Sequence, residues 1–315
     1  MIPIIDVAAL YTDDEQGWQK VVRAIDEACR EVGFFYIKGQ QISPAEIERI
    51  FAIGQTFFAL SEKEKLNIDI TKSANHRGYG ALAAEALADG LPGDLKETFD
   101  MGRNLGADDP EVLQGLPLHG PNKYPNLPGW QSEMEAHYGK VKDLGQLLLR
   151  AMAKALECPS DFFDPLMDRT VSVLRLIHYP SAEAQQHPDQ QGCGAHSDYG
   201  CITILAQDSA GGLQVQGRDG EWVDAVPIAD TFVINIGDLM ARWTNDRYVS
   251  TKHRVINPSG RERYSIPFFV EPNFDAEVST LPSCITADAP KKYDTVTSGD
   301  WIMSRFAATY AYRSE

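Results

Sequence analysis

The chain has 315 residues, 43% hydrophobic and 23% charged, with 25 Gly and 18 Pro, an ordinary globular composition with ample material for a buried core. Forty-five acids against 29 bases give a formal charge of −16, the wrong sign for the counterion release that draws proteins to phosphate backbones, so nucleic acid is excluded as a partner. No stretch approaches the roughly 18 uninterrupted apolar residues that span a bilayer, and the opening MIPIIDVAALYTDDEQ lacks a basic segment and turns acidic at once, so the expectation is a cytoplasmic chain with no membrane partner.

Residues 18–32 carry Trp18, Val21, Val22, Ile25, Cys29 and Val32 at the i, i+3, i+4, i+7 spacing of an amphipathic helix. A short strand, Phe34 to Ile37, follows Gly33. Ser43, Pro44 and Glu46 supply an N-cap, a first-turn proline and an N3 acid for a helix that buries Ile47, Ile50, Phe51 and Phe57. Ser61 with Glu64 opens a further helical turn in the same way. From about 75 to 128, Gly and Pro break every period, as in HRGYG at 76–80 and PNKYPNLPGW at 121–130, which predicts irregular chain wrapped over something else. Periodicity returns in a long helix over roughly 129–157, with Met134, Val141, Leu144, Leu148, Met152 and Leu156 on one side.

After residue 168 the texture changes to short β-rich runs: VSVLRLIHY, CITILAQ, LQVQ, EWVDAV, TFVINIG, HRVIN and RYSIPFFV. Their spacing of about 8–12 residues argues for a sandwich, barrel or jelly roll and against a parallel α/β sheet. Hairpin chemistry stands at Asp208-Ser-Ala-Gly-Gly212 and Arg218-Asp-Gly220. A final helix is expected near 298–312, with Trp301, Met303, Phe306 and Tyr310. The five cysteines, Cys29, Cys158, Cys193, Cys201 and Cys284, are odd in number, scattered and without a CxxC pair, so they read as reduced structural thiols and not as a disulfide framework or zinc cage.

His196-Ser-Asp198 falls at the entry to a predicted strand, where residues i and i+2 point the same way and can reach one ion. His253 follows 55 positions after Asp198, inside a strand-like run that antiparallel strands can fold back across. Two imidazoles and one carboxylate leave open positions on a metal, the ligand set suited to non-haem Fe(II) that binds a co-substrate and O2 together. The tripeptide alone is a weak signal, with a solvated turn as its competing reading. The other histidines, His76, His119, His137, His178 and His187, read as structural or loop residues; His178, at a strand end, reads as packed or as a partner behind the metal ligands. Ten residues beyond His253, Arg263 and Ser265 share one face of a strand, a guanidinium and a hydroxyl placed to grip a carboxylate. An ion pair with one of the 45 acids is the alternative for that arginine.

Together these residues resemble the Fe(II)/2-oxoglutarate-dependent dioxygenases, in the isopenicillin N synthase-like branch that includes many plant-type oxygenases and bacterial ethylene-forming enzymes. The segments HSDYGCITILAQDSAGGLQV and GEWVDAV through FFVEPN carry the resemblance in the C-terminal half, and IPIIDVAAL, CREVGFFYIKG, RGYG, KETFDMG and GPNKYPNLPGW carry it before that, so it covers nearly the whole chain. The resemblance implies a mainly β fold with α (α+β): a double-stranded β-helix, or jelly roll, over 168–272, a helical and mixed N-terminal region over 1–167, and a C-terminal segment with a closing helix over 273–315. It assigns His196, Asp198 and His253 to Fe(II), and Arg263 and Ser265 to the distal carboxylate of 2-oxoglutarate, with the Tyr179 hydroxyl joining them. The implied reaction consumes O2 and 2-oxoglutarate, releases succinate and CO2, and hydroxylates, desaturates or cyclises a small organic substrate. Arg77 and Tyr79, in the irregular region, are candidates for holding that substrate, with a surface-turn arginine as the competing reading. Three other activities fit parts of the pattern: an isopenicillin N synthase-type oxidase that needs no 2-oxoglutarate, an ethylene-forming enzyme that fragments 2-oxoglutarate, and a jelly-roll binding protein without turnover.

Overall fold

In the computed structural model, which describes residues 1–87, 92–185, 187, 189–257 and 260–309, each of the seven β-rich runs beyond residue 168 forms a strand. In chain order the elements are β1 (Ile4–Asp6), α1 (Glu15–Glu31), β2 (Phe34–Lys38), α2 (Pro44–Phe58), α3 (Glu62–Leu66), β3 (Gly78–Gly80), β4 (Glu97–Met101), α4 (Pro110–Leu113) and α5 (Trp130–Ala155). The second half continues with β5 (Val173–Tyr179), β6 (Cys193–His196), β7 (Ile202–Gln207), β8 (Leu213–Gln216), β9 (Trp222–Asp224), β10 (Phe232–Ile236), α6 (Asp238–Trp243), β11 (His253–Val255), β12 (Arg263–Val270), β13 (Glu277–Val278), β14 (Val296–Thr297) and α7 (Ser298–Thr309). The helix starts follow their caps. Ser43 accepts from the Glu46 N–H, and Ser61 with Glu64 forms a reciprocal capping box.

Eight strands form one sheet in the order β1-β2-β10-β7-β12-β5-β4-β3, and four form a second, β6-β11-β8-β9. The sheets close on each other through Phe34, Ile177 and Tyr179 of the first and Leu213, Val215 and Val255 of the second, the jelly roll that the resemblance implies. The outer face of the large sheet is covered by helices, with Phe268 of β12 meeting Tyr138 of α5 edge to face at 5.2 Å. Strand β12 shows how alternation sorts function from packing. Arg263, Ser265, Pro267 and Phe269 line the interior cavity, while Ile266, Phe268 and Val270 belong to the helix-covered core.

Two sequence expectations need correction. The region 75–128 is not wholly irregular, because β3 and β4 add to the large sheet beside β5. All five residues of β4 are buried, Glu97 and Asp100 included, so the strand shows no apolar alternation. His196 closes β6 and does not open the following strand, and Asp198 lies in the connection to β7. The last helix is described to Thr309, and its expected continuation through Tyr310 to 312 lies outside the described residues. All five cysteines are free thiols. Among the described residues, no helix is long and apolar enough to cross a membrane.

Candidate active site

Antiparallel pairing of β6 with β11 sets His196 directly opposite His253, which is how two residues far apart in sequence bring their rings to 4.3 Å between centroids. Nε2 of each histidine lies 3.6 Å from Asp198 Oδ1, and the three side chains offer ligand atoms all within 4.8 Å of one another. Their outer contacts fix the orientation. His196 Nδ1 lies 2.7 Å from the Gly194 carbonyl and His253 Nδ1 lies 3.2 Å from that of Thr251, which puts the ring proton on Nδ1 and leaves the Nε2 lone pair for a metal. The Phe34 ring packs edge-on against His253 at 5.3 Å.

Burial, and then the neighbouring His196, push the His253 imidazole down to about 4, against the pull of Asp198, so the ring stays neutral and able to ligate. Burial alone raises the Asp198 carboxyl, but the two histidines and two hydrogen-bond donors outweigh it and hold the group below its ordinary value. Those donors are the Asn235 amide, at 2.7 Å from Oδ2, and the Thr203 hydroxyl on the same oxygen. Oδ2 is thereby occupied, and Oδ1 faces the histidines. Neither donor stands out in the sequence by motif or by spacing from Asp198. The signal for Asn235 was present: it stands two residues after Val233 on the inward face of an otherwise apolar strand.

A cavity of about 470 Å³ contains the triad together with Tyr179, Arg263 and Ser265. Arg263 pairs across the sheet with Tyr179, its guanidinium lies 4.7 Å above that ring, and its Nε donates to the Gly211 carbonyl at 2.7 Å. Its Nη1 is buried without a hydrogen-bond partner, and among the described residues no carboxylate pairs with it. Tyr179 and Ser265 face this cavity together, and burial raises the Tyr179 hydroxyl above its usual range against the pull of Arg263. A buried guanidinium with an unused donor fits an anion, and three ligands converging from two neighbouring strands of the small sheet and the connection after β6 fit a divalent metal. The residues present therefore fit both Fe(II) and a dicarboxylic oxo acid.

A second cavity, of about 700 Å³, shares His196, Asp198 and Phe269 with the first, so the two meet at the metal ligands. Its walls include Leu118, Val171, Ile302 and Phe306. Its polar groups form a chain. Asp100 takes a two-pronged grip on Arg175, at 2.6 and 2.7 Å, and Arg175 reaches Glu85 at 3.1 Å. Glu85 then meets Lys96 at 3.1 Å, and Lys96 meets Asp94 at 2.9 Å. Asp94 in turn accepts from the Gly194 N–H at 2.9 Å, at the start of the strand that ends in His196. The Cys193 thiol lies 3.3 Å from Lys96 and is pushed up to about 12 by burial.

Arg77 and Tyr79 are not brought to either cavity. Arg77 is buried and donates to the carbonyls of His76 and Leu118, and Tyr79 donates to Glu97 at 2.6 Å beside Lys65. The neighbouring His76 lines the second cavity in their place. His178 faces the helix-covered side, stacked on Tyr264 at 4.7 Å with Nδ1 2.7 Å from Glu97, a packed histidine and not a partner of the triad.

Comparison with known proteins matches two family models: the N-terminal region described as non-haem dioxygenase in morphine synthesis, over residues 2–127, and the 2OG-Fe(II) oxygenase superfamily, over residues 170–272. The chain is 39% identical to the 2-oxoglutarate-Fe(II) type oxidoreductase hxnY of Emericella nidulans, over 99% of this chain and 93% of that one. It is 36% identical to homoarginine-6-hydroxylase 2-ODD-C23 of Glycine max, over 98% and 97% of the two chains. Among solved structures, a full-length Neurospora crassa protein in complex with alpha-KG and thymine superposes with a TM-score of 0.86 at 34% identity, covering 98% of this chain and 96% of that one.

Proposed function

The chain belongs to the 2-oxoglutarate- and Fe(II)-dependent oxygenases, and from that premise we propose that His196, Asp198 and His253 hold the iron while Arg263, Ser265 and Tyr179 hold the far carboxylate of 2-oxoglutarate. The protein is a 2-oxoglutarate-dependent Fe(II) oxygenase acting on a small molecule. When bound, iron and the oxo acid supply the oxidising chemistry, in which O2 is consumed and 2-oxoglutarate leaves as succinate and CO2. The chain's own residues bind, orient and exclude water. Asn235 and Thr203 occupy one oxygen of Asp198 so that the other is presented to the metal. Arg263 neutralises a carboxylate inside a cavity walled by Phe34, Leu205 and Val255. The substrate is oxidised from the second cavity, by hydroxylation, desaturation or cyclisation. The same reading assigns 168–272 to the catalytic jelly roll, 1–167 to the mixed region that completes its large sheet, and 273–315 to the closing segment.

The observation that carries the assignment is the buried, unpartnered Nη1 of Arg263 in the cavity that the triad faces. The test separates the two groups of residues. H196A and D198A should lose Fe(II) binding and turnover. R263A should keep Fe(II) and weaken 2-oxoglutarate binding by about 100-fold, read by anaerobic calorimetry, the usual scale for removing one partner of a buried charge pair. Succinate should accumulate in step with oxygen use. Full activity in H196A, or oxygen use with no need for 2-oxoglutarate, refutes the assignment.

A further inference from the structure

The second cavity contains a polar group that the reading above leaves unused. Glu271 continues the inward-facing alternation of β12 one step beyond its end, after Arg263, Ser265, Pro267 and Phe269. Its backbone is pinned: the N–H donates to the Ser172 hydroxyl at 2.9 Å, and the carbonyl accepts from the hydroxyls of Thr170 and Ser172. Its carboxyl is not pinned. The residue is 7% exposed and lines the cavity, and its Oε2 is buried with no hydrogen-bond partner among the described residues. The arginine of this cavity, Arg175, is engaged instead by Asp100 and Glu85.

The metal loop is shaped around this carboxyl. Gly200 lies two residues after Asp198, and a Cβ there would stand 2.3 Å from Glu271 Oε2 and 2.4 Å from Oε1. Any larger residue at position 200 would displace the acid. A buried carboxyl oxygen left unpaired destabilises the free protein, and such a group, given a fitted place beside the reacting centre, is what a ligand-recognition site contains. The unpartnered Oε2 is a place where a ligand N–H can donate, and a ligand that does so relieves the mismatch.

We propose that Glu271 is the specificity-determining residue of this oxygenase, accepting a hydrogen bond from an N–H group of the substrate beside the iron. The substrate class is thus a nitrogen-bearing small molecule, either a protonated amine or guanidine or a neutral N–H heterocycle, whose apolar part lies against Leu118, Val171 and Phe306. The inference rests on the iron and 2-oxoglutarate assignment of the adjoining cavity.

The test compares wild type, E271M and E271Q. With Fe(II) and 2-oxoglutarate bound under nitrogen, four probes are titrated calorimetrically: L-homoarginine, thymine, 1,3-dimethylthymine and cinnamate. Wild type should bind at least one of the two N–H-bearing probes, and E271M should weaken that binding by about tenfold or more, since a site built around a hydrogen bond discriminates strongly against its loss. E271Q separates the two sources, recovering thymine but not homoarginine. Without substrate, Fe(II)-loaded E271M should melt about 2 °C higher than wild type, because an unsatisfied buried acid has been removed. A lower melting temperature for E271M, equal binding of the N–H probes to E271M and wild type, or binding of neither N–H probe to wild type overturns the proposal. Failure of wild type to bind 2-oxoglutarate counts against the cavity assignment instead, and the melting comparison is read without that co-substrate.

Discussion

Asp198 offers two oxygens with different tasks, and the groups behind it keep them apart. With the Asn235 amide and the Thr203 hydroxyl on Oδ2, the carboxylate cannot rotate to present that oxygen, and its charge is held toward the histidines. N235A should therefore lower Fe(II) affinity by about 10–100-fold while the fold persists, the range found for partners behind a metal ligand, as measured by competition with a chelator of known affinity. The triad and the Arg263–Ser265 pair were legible in the sequence because each rests on residue type plus strand alternation. Arg77 and Tyr79 were not, because the sequence shows that an arginine stands in RGYG but not that it is engaged by the carbonyls of His76 and Leu118. Glu271 could have been read by extending the alternation of β12 by two residues.

Among the elements, those with local signals were the readable ones. Helices α2 and α3 start where their serine caps stand. Strand β4 was unreadable because its acids are buried and balanced by residues distant in sequence: Glu97 by Lys65 and His178, Asp100 by Arg175. An acid with such partners behaves as a core residue, yet in sequence it looks like loop. The junction of α1 and β2 depends on one glycine. Gly33 ends the helix with its N–H on the Ala28 carbonyl at 2.9 Å, adopts φ +70°, and would place a Cβ 2.0 Å from the Val249 carbonyl oxygen. G33A combines an unfavourable backbone region with a backbone clash. It should cost about 2 kcal/mol or more of stability, beyond the usual effect of a Gly-to-Ala change, read from the midpoint of urea unfolding.

At the level of the whole molecule, the spacing of the strands narrowed the core to a sandwich, barrel or jelly roll and the family resemblance implied the last, but the manner in which the N-terminal region joins it was legible in neither. Strands β1 and β2 extend one edge of the large sheet and β4 and β3 the other, so 1–167 and 168–315 share a single sheet. Expressed separately, these two fragments should both fail to give a cooperative melting transition, whereas the intact chain should show one; a folded 168–315 fragment, seen by dispersed amide resonances, would contradict this. The pairing of Phe35 with Ile234 spans about 200 residues, a non-local contact of the kind that slows folding. On the ribosome, at about 5–20 residues per second, the apolar strand Phe34-Phe35-Tyr36-Ile37 emerges about 10–40 s before its β10 partner exists. During synthesis that strand is an unpaired adhesive edge, and the nascent chain depends on α1, or on a chaperone, to shield it until β10 arrives.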